Sequence, residues 1–234
     1  MTAMLIQIQN VYKIYGEGLE SEVRALDGVS LGVEHGEFVA IVGQSGSGKS
    51  TMMNVLGCLD VPTYGDYLLD GQDVRELTDR QLSRIRNKEI GFIFQGFNLI
   101  PELNARENVE LPLIYQGVSA SRRWDLAMEA LERVGLSERA HHRPSQMSGG
   151  QQQRVAIARA IATHPPIIMA DEPTGALDSR TGQEVLGFLQ QLNREGSTIL
   201  LITHDNGIAA LAPRVVRLSD GKIIQDKRQE VDWL

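Results

Sequence analysis

The stretch IVGQSGSGKST, residues 41–51, sets glycines, hydroxyl residues and one lysine between an apolar run and a helix-like run. Glycines let successive backbone N–H groups turn inward around an anion, a following helix adds the positive end of its dipole, and lysine adds a mobile cation. The spacing G-x-x-x-x-G-K-[ST] is typical of phosphate binding, whereas a merely flexible Gly/Ser loop is the alternative. The residues predicted to bind phosphate are Gly43, Gln44, Ser45, Gly46, Ser47, Gly48, Lys49, Ser50 and Thr51.

Two adjacent carboxylates, Asp171 and Glu172, close the apolar run IIMA. Active-site carboxylates often end buried parallel strands, and consecutive side chains on a strand point in different directions. Asp171 and the Ser50 hydroxyl are hard oxygen ligands suited to Mg²⁺, while Glu172 can orient and polarise an attacking water. The alternative for an acidic pair at a strand end is a solvated turn or a helix cap.

A second loop of small residues opens a later helix in PSQMSGGQQQRVAIARA, residues 144–160. Ser148 is predicted to cap this helix, and the helix start, with Gly149 and Gly150, is a further terminus suited to anions. An ordinary capped helix explains the same residues.

The elements that must position these residues alternate between strands and helices at both ends of the chain. Strand patterns occur in MLIQIQNVYKIY, VSLGVEHGEFVAIVG and DYLLDG, and helical periodicity dominates from Asp79 to His164. The tail continues with PIIMAD, RTGQEVLGFLQQLNRE and TILLIT, a strand, helix, strand order that predicts parallel pairing in a covered sheet. The segment VVRLSDGKIIQ predicts a hairpin that turns at Asp220 and Gly221.

The composition is that of an ordinary globular chain: 234 residues, 42% of them apolar, are enough to bury a substantial core. The first residues lack a secretory signal pattern, and the longest apolar runs are far shorter than the ~20 residues that span a bilayer. The lone Cys58 suits a reducing cytoplasm. A net charge of −7 argues against non-specific nucleic-acid binding. We therefore expect a cytoplasmic protein that reaches a membrane only through a partner chain.

Further motifs follow in a fixed order, and with the loop 41–51 they make the chain resemble the ATP-binding subunit of an ATP-binding cassette (ABC) transporter. The segment MSGGQ matches the family signature LSGGQ except for Met147, an apolar replacement of Leu. Gln95 matches the Q-loop and Asp178 the D-loop. His204 matches the switch histidine, and Tyr15 the aromatic residue that stacks on adenine.

The resemblance covers the whole chain and implies an α/β fold. It consists of a P-loop NTPase core with an antiparallel β subdomain and an inserted helical subdomain. We expect one ABC ATP-binding domain over residues 1–234, with the α/β and β core at 1–94 and 165–234 and the helical subdomain at 95–164.

The resemblance also implies ATP and Mg²⁺ as cofactors of an ATPase. In the family, two subunits sandwich two ATP molecules, and the signature loop of one subunit faces the phosphate of the other. Catalytic roles are implied for Glu172, His204 and Gln95, and Mg²⁺ ligation for Ser50, Gln95 and Asp171. Nucleotide contacts are implied for Tyr15, the loop 43–51, Asp178 and, across the dimer, Ser148, Gly149, Gly150 and Gln151.

Three of these residues have structural alternatives. Gln95 is also typical of a polar loop residue, and His204 of a structural imidazole with satisfied hydrogen bonds. Tyr12 competes with Tyr15 for the stacking role, and simple packing explains either ring.

Within the family, GCLDVPTYG, FNLIPELNARENVELPL and QQQRVAIARAIA most resemble lipoprotein-releasing, macrolide-exporting and antimicrobial-peptide-handling systems. We expect a homodimer, or a heterodimer with a related ATPase, that drives an integral membrane permease from the inner face of the membrane. One alternative is a non-transport ATPase that regulates a membrane-bound cell-envelope enzyme. Another is a soluble ATPase that acts on nucleic acid.

The segment 96–113 is expected to contribute much of the groove that receives a coupling helix of the membrane chain. Core packing of the helical subdomain explains its apolar residues equally well. They are Phe97, Leu99, Ile100, Pro101, Leu111 and Pro112.

Overall fold

The computed structural model describes residues 4–231, so the predicted domain 1–234 extends beyond the described residues at both ends. The strands are β1 (Met4–Tyr15), β2 (Val23–Glu34), β3 (Phe38–Val42), β4 (Tyr64–Leu69), β5 (Gln72–Asp73), β6 (Ile90–Phe94), β7 (Ile167–Asp171), β8 (Thr198–Thr203), β9 (Arg214–Ser219) and β10 (Lys222–Arg228). The α-helices are α1 (Lys49–Leu56), α2 (Asp79–Glu89), α3 (Ala105–Tyr115), α4 (Ala120–Arg133), α5 (Gly149–Ile161), α6 (Ser179–Arg194) and α7 (Asn206–Ala209).

Within residues 4–231 the strands form one antiparallel and one mostly parallel sheet. The antiparallel sheet has the order β2-β1-β4-β5. The larger sheet has the order β10-β9-β3-β8-β7-β6, with parallel pairing throughout except between β9 and β10. The predicted fold class is therefore confirmed. The predicted hairpin is also present, and it turns at Asp220 and Gly221 with φ of 47° and 73°.

Alternate residues of the central parallel strands face two different hydrophobic cores. Phe38, Ala40 and Val42 of β3 join the core that holds α3, α4, α5 and α6. Val39 and Ile41 join the core beneath α1 and the antiparallel sheet. Burial on both faces explains why these strands are apolar almost throughout. Polar groups are consequently left to the carboxyl ends of the strands, where the next loops begin.

The helical region is interrupted once. The predicted helical stretch from Asp79 to His164 contains strand β6, which pairs with β7 and belongs to the larger sheet. Helices α3, α4 and α5 follow β6 and share one core. The subdomain boundaries at 94/95 and 164/165 stay predictions. No helix within residues 4–231 has both the length and the apolar character needed to cross a membrane.

Candidate active site

The loop between β3 and α1 requires glycine for both conformation and packing. Gly46 and Gly48 have φ of 80° and 100°, in the left-handed region that side chains disfavour. A Cβ on Gly48 would also collide with the carbonyl oxygen of Ala25, and one on Gly43 with the carbonyl oxygen of Leu218. The backbone of this loop therefore lies against β2 and β9 at distances that only glycine allows.

Lys49 begins α1, and its ammonium bends back over the loop. The Nζ atom donates hydrogen bonds to the carbonyl oxygens of Gly43, at 2.7 Å, and Gln44, at 2.8 Å. An ammonium has three N–H donors, so one of them remains. No side chain caps the N-terminus of α1. Its first backbone N–H groups are therefore also available to an anion.

Asp171 ends β7, and β8 separates that strand from β3. Burial raises the pKa of Asp171, the neighbouring charge of Glu172 raises it further, and the Lys49 ammonium offsets part of this increase. A carboxylate in this environment favours an added cation, which would compensate its charge. Because the negative charge of Asp171 is only partly compensated, this residue is suited to bind a metal ion.

Glu172 adopts a left-handed backbone conformation with a φ of 44°, and its N–H donates to the carbonyl oxygen of Ile202 at 2.9 Å. Its side chain accepts hydrogen bonds from the His204 backbone N–H at 2.7 Å and from the Thr203 hydroxyl at 3.1 Å. The Nδ1 atom of His204 lies 2.6 Å from Glu172 Oε1. Since an ionised carboxylate only accepts, Nδ1 carries the hydrogen of this bond. Two residues from separate sequence motifs thus form one pair.

A cleft of about 940 Å³ opens in front of these groups. The site residues from the sequence analysis that line it are Gln44, Ser45, Gly46, Gly48, Lys49, Ser50, Thr51, Gln95, Asp171, Glu172 and His204. Gly43 and Ser47 are buried within the loop itself and are not part of the lining.

Sequence reasoning missed five residues that also line the cleft: Val23, Arg24, Ala25, Asp220 and Gly221. The turn of the β9–β10 hairpin links the phosphate loop to β2. In this link the Gly221 N–H donates to the carbonyl oxygen of Ser47 at 3.0 Å, and the Asp27 N–H donates to that of Gly221 at 2.9 Å. The sequence identified the turn, but no local pattern indicates which loop a turn will pack against.

Gln95 directly follows β6 and is exposed at the edge of the cleft. Its amide lies against Gly175, where a Cβ would come within 2.6 Å of Gln95 Nε2. Gly175 in turn donates its N–H to the carbonyl oxygen of Glu172 at 3.0 Å. The fold therefore brings Gln95 beside the segment that follows the two carboxylates.

Tyr15 lies at the rim and is not among the residues that line the cleft. It pairs across the antiparallel sheet with Val23, which does line the cleft. Tyr15 as a whole residue is 41% exposed, and its hydroxyl donates to Asp60 at 3.1 Å. Tyr12 instead packs over Gly28. Tyr15 therefore neighbours the cleft through its strand partner Val23, and its stacking role stays a prediction.

The signature residues and Asp178 are not part of this cleft. Ser148 caps α5 in a reciprocal box: its hydroxyl accepts from the Gln151 N–H at 3.3 Å, and Gln151 Oε1 accepts from the Ser148 N–H at 3.0 Å. Asp178 caps α6 through Thr181, and the hydrogen bonds from the Thr181 backbone and hydroxyl lower the pKa of Asp178. Within one chain, therefore, the phosphate loop lies in the cleft and the signature loop lies outside it.

The family model described as ABC transporter matches residues 26–175, which is more than half of the chain. The chain belongs to the ABC transporter family. It is an ATP-binding ABC ATPase, as the sequence predicts.

Curated relatives of this ABC cassette include export proteins. The macrolide export ATP-binding/permease protein MacB of Hyphomonas neptunium is 55% identical over 97% of the chain and 35% of MacB. The pyoverdine export ATP-binding/permease protein PvdT of Pseudomonas fluorescens is 52% identical over 98% of the chain and 35% of PvdT. The cassette spans about a third of the length of the curated relatives it matches. The predicted similarity to the macrolide-export branch is confirmed.

Solved structures give the same assignment. A dimeric, post-hydrolysis state of the ATP-binding cassette MJ0796 bound to ADP and Pi superimposes with a TM-score of 0.88. Its sequence is 47% identical, and the match covers 97% of this cassette and 100% of that chain. A second dimeric structure of MJ0796, described as a bacterial ABC transporter cassette, has a TM-score of 0.88 at 48% identity.

Proposed function

We propose that two copies of this chain, or one copy and a related cassette, close around ATP and drive an integral membrane permease in export or mechanical transmission. The observation that carries the proposal is that the nucleotide cleft holds the phosphate loop and the Glu172–His204 pair but not the signature loop. A second chain placed head to tail supplies the missing loop. The dimeric cassette structures and the relatives named as ATP-binding/permease proteins support this arrangement.

The residues that surround Asp171 fit a magnesium ion carried by the nucleotide. No group of three or more His, Cys, Asp and Glu side chains within residues 4–231 could hold a metal ion. Mg²⁺ in nucleotide sites is typically bound through one or two carboxylates together with substrate phosphates and water. Asp171, with the Ser50 hydroxyl and the Gln95 amide oxygen, supplies such a partial set. Mg²⁺ would neutralise charge on the phosphates.

Each group then has a defined task in hydrolysis. The N–H groups of the phosphate loop and the Lys49 ammonium hold the terminal phosphates. Glu172 accepts a hydrogen bond from the attacking water and polarises it. His204, whose Nδ1 donates to Glu172, would donate an Nε2–H to the γ-phosphate in the doubly protonated form, since only the imidazolium has an N–H at both ring nitrogens. The chemistry is mostly positioning and charge stabilisation, which needs this pre-formed geometry.

The permease is proposed to dock in a groove beside β6. A cavity of about 310 Å³ is lined there by Leu111 and Pro112 of α3 and by the stacked rings of Phe92 and Phe94. Tyr115 at its edge is 82% exposed. This surface suits an apolar helix of a membrane chain, and its occupation would keep the cassette at the inner face of the membrane.

The test is Glu172→Gln, which keeps the size of the side chain and removes its charge. Water is then no longer polarised, so we expect hydrolysis to fall by about 10²- to 10⁴-fold while ATP still binds. Because ATP favours the closed dimer and hydrolysis removes ATP, the variant should accumulate as a dimer. Size-exclusion chromatography of variant and wild type with and without Mg²⁺ and ATP measures the dimer, and phosphate release under the same conditions measures hydrolysis.

The matched control is Glu138→Gln, since Glu138 is exposed and has no hydrogen bond or ion pair within the described part of the chain. It should behave like wild type in both assays. A Glu172→Gln protein that stays monomeric at saturating ATP would contradict the dimer. One that hydrolyses ATP at the wild-type rate would remove Glu172 from the catalytic residues.

A further inference from the structure

The nucleotide cleft contains more carboxylates than permanent cations. Among its lining residues within the described part of the chain, the carboxylates belong to Asp171, Glu172 and Asp220, and the permanent cations to Lys49 and Arg24. A bound nucleoside polyphosphate adds further negative charge, so the affinity of the cleft for it depends on each of the two cations. Lys49 is part of the phosphate loop, whereas Arg24 lies on β2 and belongs to none of the sequence motifs.

Lys49 has little hydrogen-bonding capacity left for a ligand. Its ammonium already donates to the carbonyl oxygens of Gly43 and Gln44, which leaves one of its three N–H donors. A single N–H bonds one phosphate oxygen at a time. The remainder of a bound phosphate chain therefore depends on other groups of the cleft.

Arg24 lies between the rim of the cleft and the phosphate loop. The residue before it, Val23, lines the cleft and pairs with Tyr15 at the rim. The carbonyl oxygen of the residue after it, Ala25, lies 2.4 Å from the position that a Cβ would take on Gly48, so β2 contacts the phosphate loop here. A nucleotide whose terminal phosphates occupy the loop and whose base extends toward Val23 passes Arg24 in between. The part that passes Arg24 consists of the ribose and the phosphates next to it.

The guanidinium of Arg24 is held at one nitrogen and available at the other two. Its Nε atom donates to Glu22 Oε1 at 3.2 Å, and Glu22 is the one hydrogen-bond partner of this guanidinium among residues 4–231. The two Nη atoms therefore keep four N–H groups, and this planar pair of nitrogens matches two oxygens of one phosphate. The Arg24 side chain is 58% exposed, so these donors face solvent and are accessible to a ligand.

Glu22, the partner of Arg24, is itself fixed to the loop between β1 and β2. Its Oε2 atom accepts a hydrogen bond from the Gly18 N–H at 3.1 Å, and this bond, together with that from Arg24, lowers the pKa of Glu22. Glu22 is therefore ionised at neutral pH and keeps the guanidinium beside the cleft. An exposed ion pair of this kind is weak, so it does not prevent Arg24 from binding a phosphate.

We infer that Arg24 is a nucleotide-binding residue whose Nη atoms contact the phosphates nearest the ribose. Lys49 and Arg24 then divide the phosphate chain between them, with the ammonium at its terminal end and the guanidinium at its ribose end. The inference rests on the nucleotide cleft of the proposed function, but it requires neither the closed dimer nor the permease.

The experiment compares Arg24→Gln with Lys222→Gln by calorimetric titration of the full chain in the presence of Mg²⁺. Lys222 is the matched control because its side chain is 61% exposed and pairs with a carboxylate, that of Asp27 at 3.0 Å. It is adjacent to Gly221 in the hairpin turn but is not among the residues that line the cleft. Two probes are titrated: ADP, which lacks the γ-phosphate, and inorganic tripolyphosphate, which lacks both ribose and base.

We expect Arg24→Gln to weaken the binding of ADP and of tripolyphosphate by the same factor of about five- to tenfold. Lys222→Gln should stay within about twofold of wild type for both probes. Arg24→Lys keeps the charge but loses the planar pair of nitrogens, so its affinities should lie between those of wild type and Arg24→Gln. Because both positions are exposed, Tm should stay within about 2 °C of wild type in all three variants.

The alternative roles of Arg24 give different results, and each would overturn the inference. Weaker tripolyphosphate binding with unchanged ADP binding would place Arg24 at the γ-phosphate, and the reverse would place it at the ribose or base. Equal effects of Arg24→Gln and Lys222→Gln would show that Arg24 acts only through its charge at a distance. Arg24→Lys affinities as low as those of Arg24→Gln would show that the charge at this position does not bind phosphate.

Failure of this inference is distinguishable from failure of the proposed function. All of these titrations concern nucleotide binding by one chain, whereas the dimer is tested separately by Glu172→Gln with ATP. Weak binding in Arg24→Gln with no dimer in Glu172→Gln would support the inference and contradict the dimer. A wild-type chain that binds neither ADP nor tripolyphosphate would overturn the nucleotide cleft itself and the inference with it.

Discussion

The phosphate loop and the signature loop have similar compositions but opposite states at their helix termini. Both place glycine and serine residues at the start of a helix, at residues 43–51 and 147–151. Helix α1 begins after Gly48 with no side chain on its first N–H groups, whereas α5 begins with Ser148 and Gln151 bonded to each other's backbone. The first terminus is open to a ligand, and the second is already satisfied within the chain.

The two loops also need their glycines for different structural reasons. In the phosphate loop, Gly48 is confined by its positive φ and by the backbone carbonyl of Ala25. In the signature loop, a Cβ on Gly150 would meet the side chain of Thr181. Backbone crowding fixes the first loop as a rigid cradle, and side-chain crowding only brings the second loop close to α6. Glycine and serine residues at the start of a helix are therefore not sufficient to form an anion-binding site within one chain.

The strongest test of this contrast is Lys49→Ala. Lys49 supplies the cation within the open loop, and its Nζ atom contacts only the loop's own carbonyls among residues 4–231. We expect the affinity for ATP to fall about 100-fold or more, which corresponds to about 2.7 kcal/mol, with little change in Tm. Calorimetric titration with Mg²⁺ and ATP measures the affinity. Lys88→Ala, at an exposed position of α2, is the matched control. Unchanged affinity in Lys49→Ala would remove residues 43–51 from the phosphate site.

A smaller effect on binding but a clear one on turnover is expected for Ser148→Arg. The signature loop is not part of the chain's own cleft, so the monomer's affinity for ATP should stay within about twofold of wild type. In the proposed dimer the signature loop faces the partner chain. A bulky cation at position 148 has no room or matching charge there, so it should block closure and lower turnover more than tenfold. Ser137→Arg, at an exposed position, is the control for added charge. Equal losses of monomer affinity in Ser148→Arg and Lys49→Ala would show that both loops serve the same nucleotide.

The smallest effect is expected for Gln151→Ala, which opens the cap of α5. The substitution removes the acceptor of the Ser148 N–H, so stability should fall by about 0.5 kcal/mol and Tm by about 1–2 °C. Affinity of the monomer for ATP should not change. Gln183→Ala, on the exposed face of α6, gives the baseline for a Gln to Ala change in a helix. A Gln151→Ala chain that gains ATP affinity would show that the cap, rather than the fold, keeps the signature loop from binding in its own chain.

Local sequence signals predicted much of the fold because the forces behind them act over a few residues. The predicted cap of α5 follows directly from side chains three positions apart, since Ser148 and Gln151 form a capping box. The two-residue hairpin turn and the apolar parallel strands are equally local or periodic. Strand β6 within the helical stretch depends instead on pairing with β7, which lies more than seventy residues away along the chain. Long-range pairing has no short-range signal.

The candidate site likewise combines features that local motifs predicted with features that depend on long-range strand pairing. The residue types that bind phosphate, hold a metal and polarise water were apparent from the motifs, because each motif carries its own chemistry. The left-handed conformation of Glu172 and its bond to His204 were not apparent, since β7 and β8 must first pair to bring them together. The hairpin turn at Gly221 lies under the phosphate loop for a similar reason, through β3 and β9.

The sequence by itself determined the chemistry of this ABC cassette: the glycines, Lys49, the carboxylate pair and the order of the motifs follow from residue type and spacing. Tertiary structure alone decided which of those groups share a cleft, and it left the signature loop outside. Arg159 gives the clearest instance, because its sequence suggests only an arginine in an amphipathic helix. Its guanidinium meets the carbonyls of Phe97 and Asn98 only once α5 has packed against β6. Contacts of this kind depend on the whole core, and no local pattern encodes them.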